Sequence, residues 1–185
     1  MSRIWITSDT HFCHQKSFLW EPRGFKNEWE MNENIIKNWN NIIQPEDDVY
    51  HLGDVMLNNN EEGIKCLKSL KGKIHIIRGN HDSETRINLF KNCYNVVEVC
   101  EGKFLQYKKY HFYLSHYPCI TSNYDGDKPL KTRMISLAGH SHTSNKWQDL
   151  DKGLIYHCEL DAHNNKPILL DDIIIDIENK LKEIK

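Results

Sequence analysis

Short clusters of Asp, His and Asn side chains recur along the sequence, and these residue types bind transition metals. Carboxylate and imidazole donors together favour manganese, iron, zinc or nickel, whereas magnesium and calcium favour oxygen donors alone. Five clusters carry these residues: Asp9-Thr10-His11, Gly53-Asp54, Gly79-Asn80-His81-Asp82, Ser115-His116 and Gly139-His140-Ser141-His142.

Each cluster follows a short apolar run that is typical of a buried strand. Ile4-Trp5-Ile6, for example, precedes Asp9, and residues 135–138 precede His140. Because the ends of neighbouring strands meet at one edge of a sheet, we expect the five clusters to form one site. On an extended backbone, both members of an Asp-x-His or His-x-His pair would point to the same side.

Taken singly, the fragments have ordinary interpretations. A lone Asp-x-His is more often incidental than a ligand pair, and Gly-Asp is common in turns. Residues 79–82 suit a turn that leads into a helix with Asp82 or Ser83 as its N-cap, and Asp82 also suits a role in orienting His81. The five clusters in this order, each after a strand-like run, favour a shared site.

The elements that must position these side chains follow from hydrophobic periodicity. An apolar stripe predicts a helix at residues 28–43, ended by Pro45, and a shorter helix at 61–70 is ended by Gly72. Residues 168–184 also repeat helically, although Ile173-Ile174-Ile175 suits a strand. Strands are predicted at residues 4–6, 49–52, 74–77, 96–99, 111–114, 135–138 and 154–156. This order indicates an α/β first half followed by a more antiparallel second half.

Length and charge limit the class of protein. A chain of 185 residues suits a single domain, 1–185. A net charge of -2 without a basic run argues against an extended surface for duplex nucleic acid. No apolar run approaches the roughly 20 residues that span a bilayer, and the N-terminal residues lack a signal peptide, so we expect a cytoplasmic protein without a membrane partner. The six cysteines form no C-x-x-C pair, and we expect reduced thiols.

The five clusters resemble the D-x-H, G-D, G-N-H-[DE], H and G-H-x-H blocks of the calcineurin-like metallophosphoesterase family. The blocks run from Asp9 to His142, and residues 161–167 also resemble compact bacterial and phage members. The resemblance implies an α/β (α+β) fold that is a four-layer α-β-β-α sandwich, with two mixed sheets packed face to face and helices outside. It also implies a phosphate-ester hydrolase with two divalent transition-metal ions, manganese first, with iron, zinc or nickel as alternatives.

Roles for single residues also follow from the resemblance. Asp54 would bridge two metal ions, and His81 would stay off the metals and act on the phosphate. Together with Asn80, these two residues form the predicted catalytic set. A hydroxide activated by both metals would attack phosphorus, and His81 would protonate the leaving group. The resemblance assigns Asp9, His11 and His142 to the first metal and Asn80, His116 and His140 to the second.

Residues near the clusters leave alternatives open. His14 and Arg23 are candidates for substrate contact, but Arg23 also suits a solvated loop. Cys13 stands where compact members often carry Gly, and it either narrows the pocket or is a bystander. Asp161 either supports a ligand His or only fixes a turn.

The sequence indicates the type of reaction more clearly than the class of substrate. Little of the chain lies outside the core to form a cap, so we favour a phosphodiesterase on nucleotide-like substrates, with a phosphomonoesterase as the alternative. A loop after His116 carries aromatic and basic residues that suit a nucleotide or an ordinary exposed loop, namely Tyr117, Tyr124, Lys128, Lys131 and Arg133.

A non-catalytic scaffold of the same fold and a structural metal protein are weaker hypotheses, because the ligand set is complete and is not Cys-rich. The sequence gives no indication of oligomeric state.

Overall fold

A computed structural model describes residues 2–121, 129, 132–148 and 154–183. Its α-helices are α1 (Ser17–Trp20), α2 (Glu28–Ile42), α3 (Asn60–Ser69), α4 (Glu84–Lys91) and α5 (Leu170–Glu183). Its strands are β1 (Ile4–Thr7), β2 (Asp48–His51), β3 (Lys73–Ile77), β4 (Val96–Cys100), β5 (Lys103–Tyr107), β6 (Tyr110–Leu114), β7 (Met134–Ala138), β8 (Trp147–Gln148), β9 (Ile155–His157) and β10 (Ile168–Leu169).

The strands form two mixed sheets of five strands each. The first has the order β10-β1-β2-β3-β4, in which β1 to β4 are parallel and β10 is antiparallel to β1. The second has the order β5-β6-β7-β9-β8, in which β6, β7 and β9 are parallel and the two edge strands are antiparallel. The second sheet is therefore the more antiparallel of the two, as the sequence indicates.

Alternation along the strands of the first sheet divides the hydrophobic core in two. Trp5, Val49 and Ile74 pack with the apolar stripes of α2, α3 and α4 on one face. Ile6 and Ile77 point to the other face, where they join residues of the second sheet. This period of two is the ordinary geometry of a strand that is buried on both faces.

The second cluster joins the two sheets and α5. It contains Phe112, Leu114, Ile135 and Leu137 from β6 and β7, together with Ile173 and Ile177 of α5. Tyrosines of the second sheet also donate to carboxylates of α5: Tyr107 to Asp171, Tyr110 to Glu178 and Tyr156 to Asp176. The predicted sandwich of two mixed sheets with helices packed against them is confirmed.

Several elements differ from the sequence-based prediction. Residues 168 and 169 were expected in a helix, but they pair with β1, because Ile168 and Leu169 complete the edge of the first sheet. Asp82 is not a helix cap; Ser83 caps α4 by accepting from Arg86 N. The sequence did not predict α1, β5 or β8, and the predictions at Tyr124, Lys128, Lys131 and Ile184 lie outside the described residues.

All six cysteines are free thiols, as expected. Across the described part of the chain, none of the helices combines the length and the apolar character that crossing a membrane requires.

Candidate metal centre

The loops after β1 and β2 run side by side and carry the first candidate donors. Asp9 N donates to Gly53 O at 3.0 Å, and His11 N donates to Asp54 O at 3.0 Å. Parallel pairing of the two strands therefore continues past their ends. Hydrogen bonds of the main chain, rather than contacts between the side chains, place Asp9, His11 and Asp54 together.

Most of the candidate donors have a left-handed backbone. The φ angles are 58° at Asp9, 46° at His11, 56° at Asp54, 73° at His140 and 48° at His142. The expectation that the Asp-x-His and His-x-His pairs lie on extended segments is wrong. Each pair faces one side because its residues are bent into the loop. This conformation is uncommon for residues with a Cβ, although Asp and His adopt it more often than most.

Asp82 holds the loop that carries Asp54. Its carboxylate accepts hydrogen bonds from Asp54 N at 2.8 Å, Gly79 N at 2.9 Å and Val55 N at 3.2 Å. A Cβ at Gly79 would overlap Asp54 Oδ1, so only glycine permits this close approach of the two loops. In the sequence, this structural role of Asp82 is indicated only by its place as the acidic residue that ends the Gly-Asn-His-Asp cluster.

One set of donor atoms is formed by Asp9, His11 and His142. Asp9 Oδ1 lies 3.5 Å from His11 Nε2 and 3.6 Å from His142 Nε2, and the two Nε2 atoms are 3.1 Å apart. Asp9 Oδ2 accepts from His140 N at 2.9 Å. Its partner Oδ1 is buried and makes no hydrogen bond within the described residues. This oxygen is therefore available to a cation.

A second set is formed by Asn80, His116 and His140. Asn80 Oδ1 lies 2.8 Å from His116 Nε2 and 2.9 Å from His140 Nδ1, and these two nitrogens are 3.2 Å apart. Asn80 follows β3, His116 follows β6 and His140 follows β7. The second set thus combines residues from both sheets.

Asp54 lies between the two sets. Its Oδ1 accepts from His81 N at 2.8 Å, while its Oδ2 lies 3.5 Å from His11 Nε2 and 3.6 Å from His116 Nε2. A metal with bonds of about 2.0–2.2 Å requires donor atoms roughly 3.0–3.5 Å apart in tetrahedral or octahedral geometry. The spacings within the two sets, 2.8–3.6 Å, lie close to that range. Asp9, His11 and His142 form a group of carboxylate and imidazole donors that could hold a metal ion, and Asp9, Asp54 and His116 form another.

Hydrogen bonds behind the rings fix the tautomers of two histidines. His116 Nδ1 lies 2.8 Å from Leu52 O, which can only accept a hydrogen bond, so Nδ1 carries the hydrogen. Nε2 is therefore unprotonated, and its lone pair can bind a metal. His142 Nδ1 lies 3.2 Å from Asp161 Oδ2 and is oriented in the same way. Burial would raise the pKa of Asp9, but His11 and His142 hold that pKa well below its usual range. Asp9 is therefore a carboxylate at neutral pH.

His81 lies at the edge of the cluster. Its side chain is 44% exposed, and its Nε2 is 4.0 Å from Asp54 Oδ2. Its backbone is held at both ends, because His81 N donates to Asp54 and His81 O accepts from Arg86 Nη1. The ring therefore projects toward the shared oxygen from the open side of the site.

Arg23 is not on a solvated loop. Its side chain is 1% exposed, and its guanidinium bonds to Asp161 and to the carbonyl oxygens of Asp9 and Thr10. His14 is also mostly buried, with its ring edge-on to His11 and Phe18 and its Nδ1 accepting from Lys16 N. Burial, followed by the charge of His11, lowers the pKa of His14 to about 4. Contact of either residue with substrate stays a prediction.

His51 is a buried residue behind the donor loops, although the sequence predicted only that it lies in the strand at residues 49–52. Gly53 N donates to His51 Nδ1 at 3.2 Å, so Nε2 carries the hydrogen and donates to Thr10 Oγ1 at 2.9 Å. Thr10 Oγ1 in turn donates to Val55 O at 2.8 Å. Burial lowers the pKa of His51 to about 3, which keeps this neutral tautomer at working pH. Only its alternation with apolar residues was visible in the sequence.

Comparison with known proteins gives relatives across nearly the whole chain. A family model described as the calcineurin-like phosphoesterase superfamily domain matches residues 2–157. An uncharacterized protein of Methanocaldococcus jannaschii is 34% identical and covers 96% of this chain and 93% of its own. The gene 66 protein of Mycobacterium phage L5 is 25% identical and covers 77% of this chain and 79% of its own.

A solved structure shares the architecture. A protein of unknown function from Aquifex aeolicus superposes with a TM-score of 0.65 at 24% identity, covering 94% of this chain and 98% of that one. This likeness supports the sandwich fold.

Proposed function

Since this chain belongs to the calcineurin-like phosphoesterase superfamily, it is a phosphate-ester hydrolase, and we propose that it uses two divalent metal ions and prefers diesters. One observation carries the two-metal proposal. Asp54 Oδ2 lies at 3.5 and 3.6 Å from one histidine of each donor set, which supports a role for this carboxylate oxygen as a ligand shared by two ions. Asp9, His11 and His142 would hold the first ion, and Asn80, His116 and His140 the second.

The bound ions would supply Lewis acidity, making a water molecule acidic and offsetting charge on the phosphoryl oxygens. The negative charge of Asp54 reduces the repulsion between two cations held close together. Asn80 turns Oδ1 toward the second set, and its Nδ2 makes no hydrogen bond among the described residues. That amide can donate to a phosphoryl oxygen as charge develops there.

His81 is the proton donor in this proposal. The ring is exposed beside Asp54 Oδ2, where the leaving oxygen of a bound ester has access to it. As an imidazolium it can protonate the departing alkoxide, which is a step worth typically 10²–10⁴-fold in rate.

The preference for nucleotide-like diesters has support from two exposed aromatic rings beside the donor sets. Tyr117 is 51% exposed, and its ring centroid lies 5.1 Å from that of His116 and 4.8 Å from that of His140. Phe18 is 72% exposed and packs on His14, which packs on His11. Exposed rings next to a phosphate site suit stacking by a nucleobase.

Reconstitution of metal-free protein tests the two-metal proposal. Manganese, iron, zinc and nickel are each added, and metal content is measured together with hydrolysis of a panel of monoesters, diesters and cyclic nucleotides. We expect two ions per chain, manganese as the best activator, and loss of turnover on chelation. Full activity of the metal-free protein would overturn the proposal, as would one tight ion with no second site.

A second comparison tests the substrate class. Tyr117→Leu removes the aromatic ring, and Tyr117→Phe keeps it. Tyr94→Leu is the control, because it removes an exposed ring that precedes β4, at the end of the parallel strands opposite to the donors. We expect only Tyr117→Leu to lower kcat/KM for nucleoside diesters, by about 5–150-fold, since stacking contributes about 1–3 kcal/mol per base. A dialkyl phosphate should be unaffected. Equal loss on both substrates, or faster turnover of monoesters, would contradict the nucleotide preference.

A further inference from the structure

A buried ion pair lies directly behind the first donor set. Arg23 Nη2 is 2.7 Å from Asp161 Oδ2, and Arg23 Nε donates to Asp161 Oδ1 at 3.0 Å. The side chains are 1% and 14% exposed. Two parallel bonds between a guanidinium and a carboxylate fix both the distance and the relative orientation of the two groups.

The pair contacts metal donors at both of its ends. Arg23 Nη2 also donates to the backbone oxygen of Asp9 at 2.8 Å. On the other side, Asp161 Oδ2 lies 3.2 Å from His142 Nδ1. The backbone at Asp9 and at His142 is left-handed, and it needs tertiary contacts to stay so.

Stability alone is a weak explanation of this pair. Removing two charges from water costs free energy that their attraction often fails to recover. The loops that carry the pair hold no metal donor of their own, and they are 138 residues apart in the chain. They are tied again where Asn165 Nδ2 donates to Arg23 O at 3.0 Å. The contacts that the pair makes with Asp9 O and with His142 Nδ1 both end at the first donor set.

We propose that Arg23 and Asp161 are positioning residues for the first metal donor set, an inference that rests on the proposed two-metal function. Asp161 accepts a hydrogen bond from the Nδ1–H group of His142. This leaves Nε2 unprotonated, so that its lone pair can bind the metal. Arg23 holds Asp161 in place and anchors the carbonyl of Asp9. In this role neither residue is a metal donor, because each acts through Asp9 or His142.

The effect should be confined to one metal. In the second set, His116 Nδ1 is oriented by Leu52 O, a main-chain oxygen next to β2. Neither Arg23 nor Asp161 contacts Asn80, His116 or His140 in the described residues. Loss of the pair should therefore weaken the first ion and spare the second.

Metal titration of the metal-free protein tests this inference. Calorimetry with manganese or zinc is performed on wild type, Asp161→Asn, Arg23→Gln and Arg23→Lys. We expect Asp161→Asn and Arg23→Gln to weaken one of two ions by about 10–100-fold, the usual effect of removing such a partner. Arg23→Lys keeps the positive charge but cannot form two parallel hydrogen bonds to Asp161. Its metal affinity should lie between those of wild type and Arg23→Gln.

Two further measurements separate positioning from general damage. Arg3→Gln removes a more exposed Arg–Asp pair away from the site, Arg3 with Asp47 at 2.9 Å, and it should lower Tm without changing either metal affinity. In metal-free protein, the ring ¹⁵N shifts of His142 should change in Asp161→Asn and stay constant in Arg3→Gln. These shifts report the tautomer whether or not a variant binds metal.

The outcomes distinguish this inference from the proposed function. If wild type binds two ions and Asp161→Asn binds both with unchanged affinity, the positioning role is refuted and the two-metal function stands. If wild type binds no ion, the two-metal function fails, and the ¹⁵N shifts of His142 still decide whether Asp161 sets its tautomer. Equal weakening of both ions would also overturn the inference.

Discussion

Asp54 lies within 3.6 Å of one histidine of each donor set. Its Oδ1 is occupied by His81 N, so Oδ2 faces His11 and His116. The left-handed φ of 56° at Asp54 is held by Asp82, which accepts from the amides of Asp54 and Val55. A left-handed residue costs about 1–3 kcal/mol, and the surrounding hydrogen bonds must offset that strain.

Replacing Asp54 with Asn tests the bridge. The change keeps the shape of the side chain but removes the negative charge that two cations would share. We expect loss of at least one ion and of most activity, measured as metal content after dialysis and as turnover on the same samples. Asp48→Asn on β2 is the matched control, and it should keep both ions. Normal turnover with both ions in Asp54→Asn would show that Asp54 does not bridge.

Replacing His81 with Ala separates catalysis from metal binding. No donor atom of either set belongs to this side chain, so two ions should remain bound and the fold should stay intact. We expect kcat/KM to fall by roughly 10²–10⁴-fold for esters with an alkoxide leaving group. The decrease in kcat/KM should be smallest for nitrophenyl esters, because nitrophenolate is a good leaving group and departs without a proton.

A series of leaving groups, assayed with metal content, distinguishes the possible roles of His81. Loss of metal would make His81 a ligand. An equal loss of rate for all leaving groups would assign it to phosphate binding and not to proton donation.

At the scale of elements, Asp47 ties the start of β1 to the turn before β2. Its carboxylate accepts from Arg3 N at 2.9 Å, Gln44 N at 3.0 Å and Trp5 Nε1 at 3.0 Å, and it pairs with the Arg3 guanidinium. Burial would raise the pKa of Asp47, but these hydrogen bonds lower it to about 2. The two strands that carry Asp9 and Asp54 are therefore joined at their far ends by a group that titrates in acid.

Protonation of Asp47 at low pH should weaken its hydrogen bonds over a pH range that its pKa values define. The folded pKa of Asp47, about 2, lies below an unfolded value of about 3.9. Its contribution to the free energy of unfolding is therefore complete above that unfolded value and is lost as pH falls toward 2. We expect Asp47→Asn to lower the free energy of unfolding at pH 7 by about 1–3 kcal/mol. Urea titrations of metal-free protein between pH 7 and 2 should show a shallower acid slope in the variant, and an identical slope would contradict the assignment.

At the scale of the whole molecule, one hydrophobic cluster joins the two sheets. Ile6 and Ile77 of the first sheet pack with Phe112 and Leu137 of the second, and the donor sets also combine residues from both. A shared core predicts that the sheets unfold together as a single domain, 1–185.

Chemical unfolding checks this prediction. Far-ultraviolet circular dichroism and tryptophan fluorescence should give one coincident transition, and added metal should move both curves together. Two separate transitions, with only one of them sensitive to metal, would instead indicate two independently folding units.

The sequence by itself determined the strands that end at the site and the types of donor that follow them. These signals are local, since a buried strand needs a run of apolar residues and a metal donor needs a carboxylate, imidazole or amide side chain. Five of the predicted strands therefore led directly to the residues that the structure brings together. The predicted helices 28–43 and 61–70 agree with α2 and α3 to within a residue at each end.

Only the tertiary structure decided how those donors are held. The left-handed backbone at Asp9 and His142, the place of Asp54 Oδ2 between two sets, and the pairing of β10 with β1 all depend on hydrogen bonds between distant segments. Arg23 is an example, because its sequence neighbours suggest a solvated loop. Its guanidinium is buried because Asp161, 138 residues away, provides the matching carboxylate. Local propensity carries no information about such partners, since their energy exists only after the chain has folded.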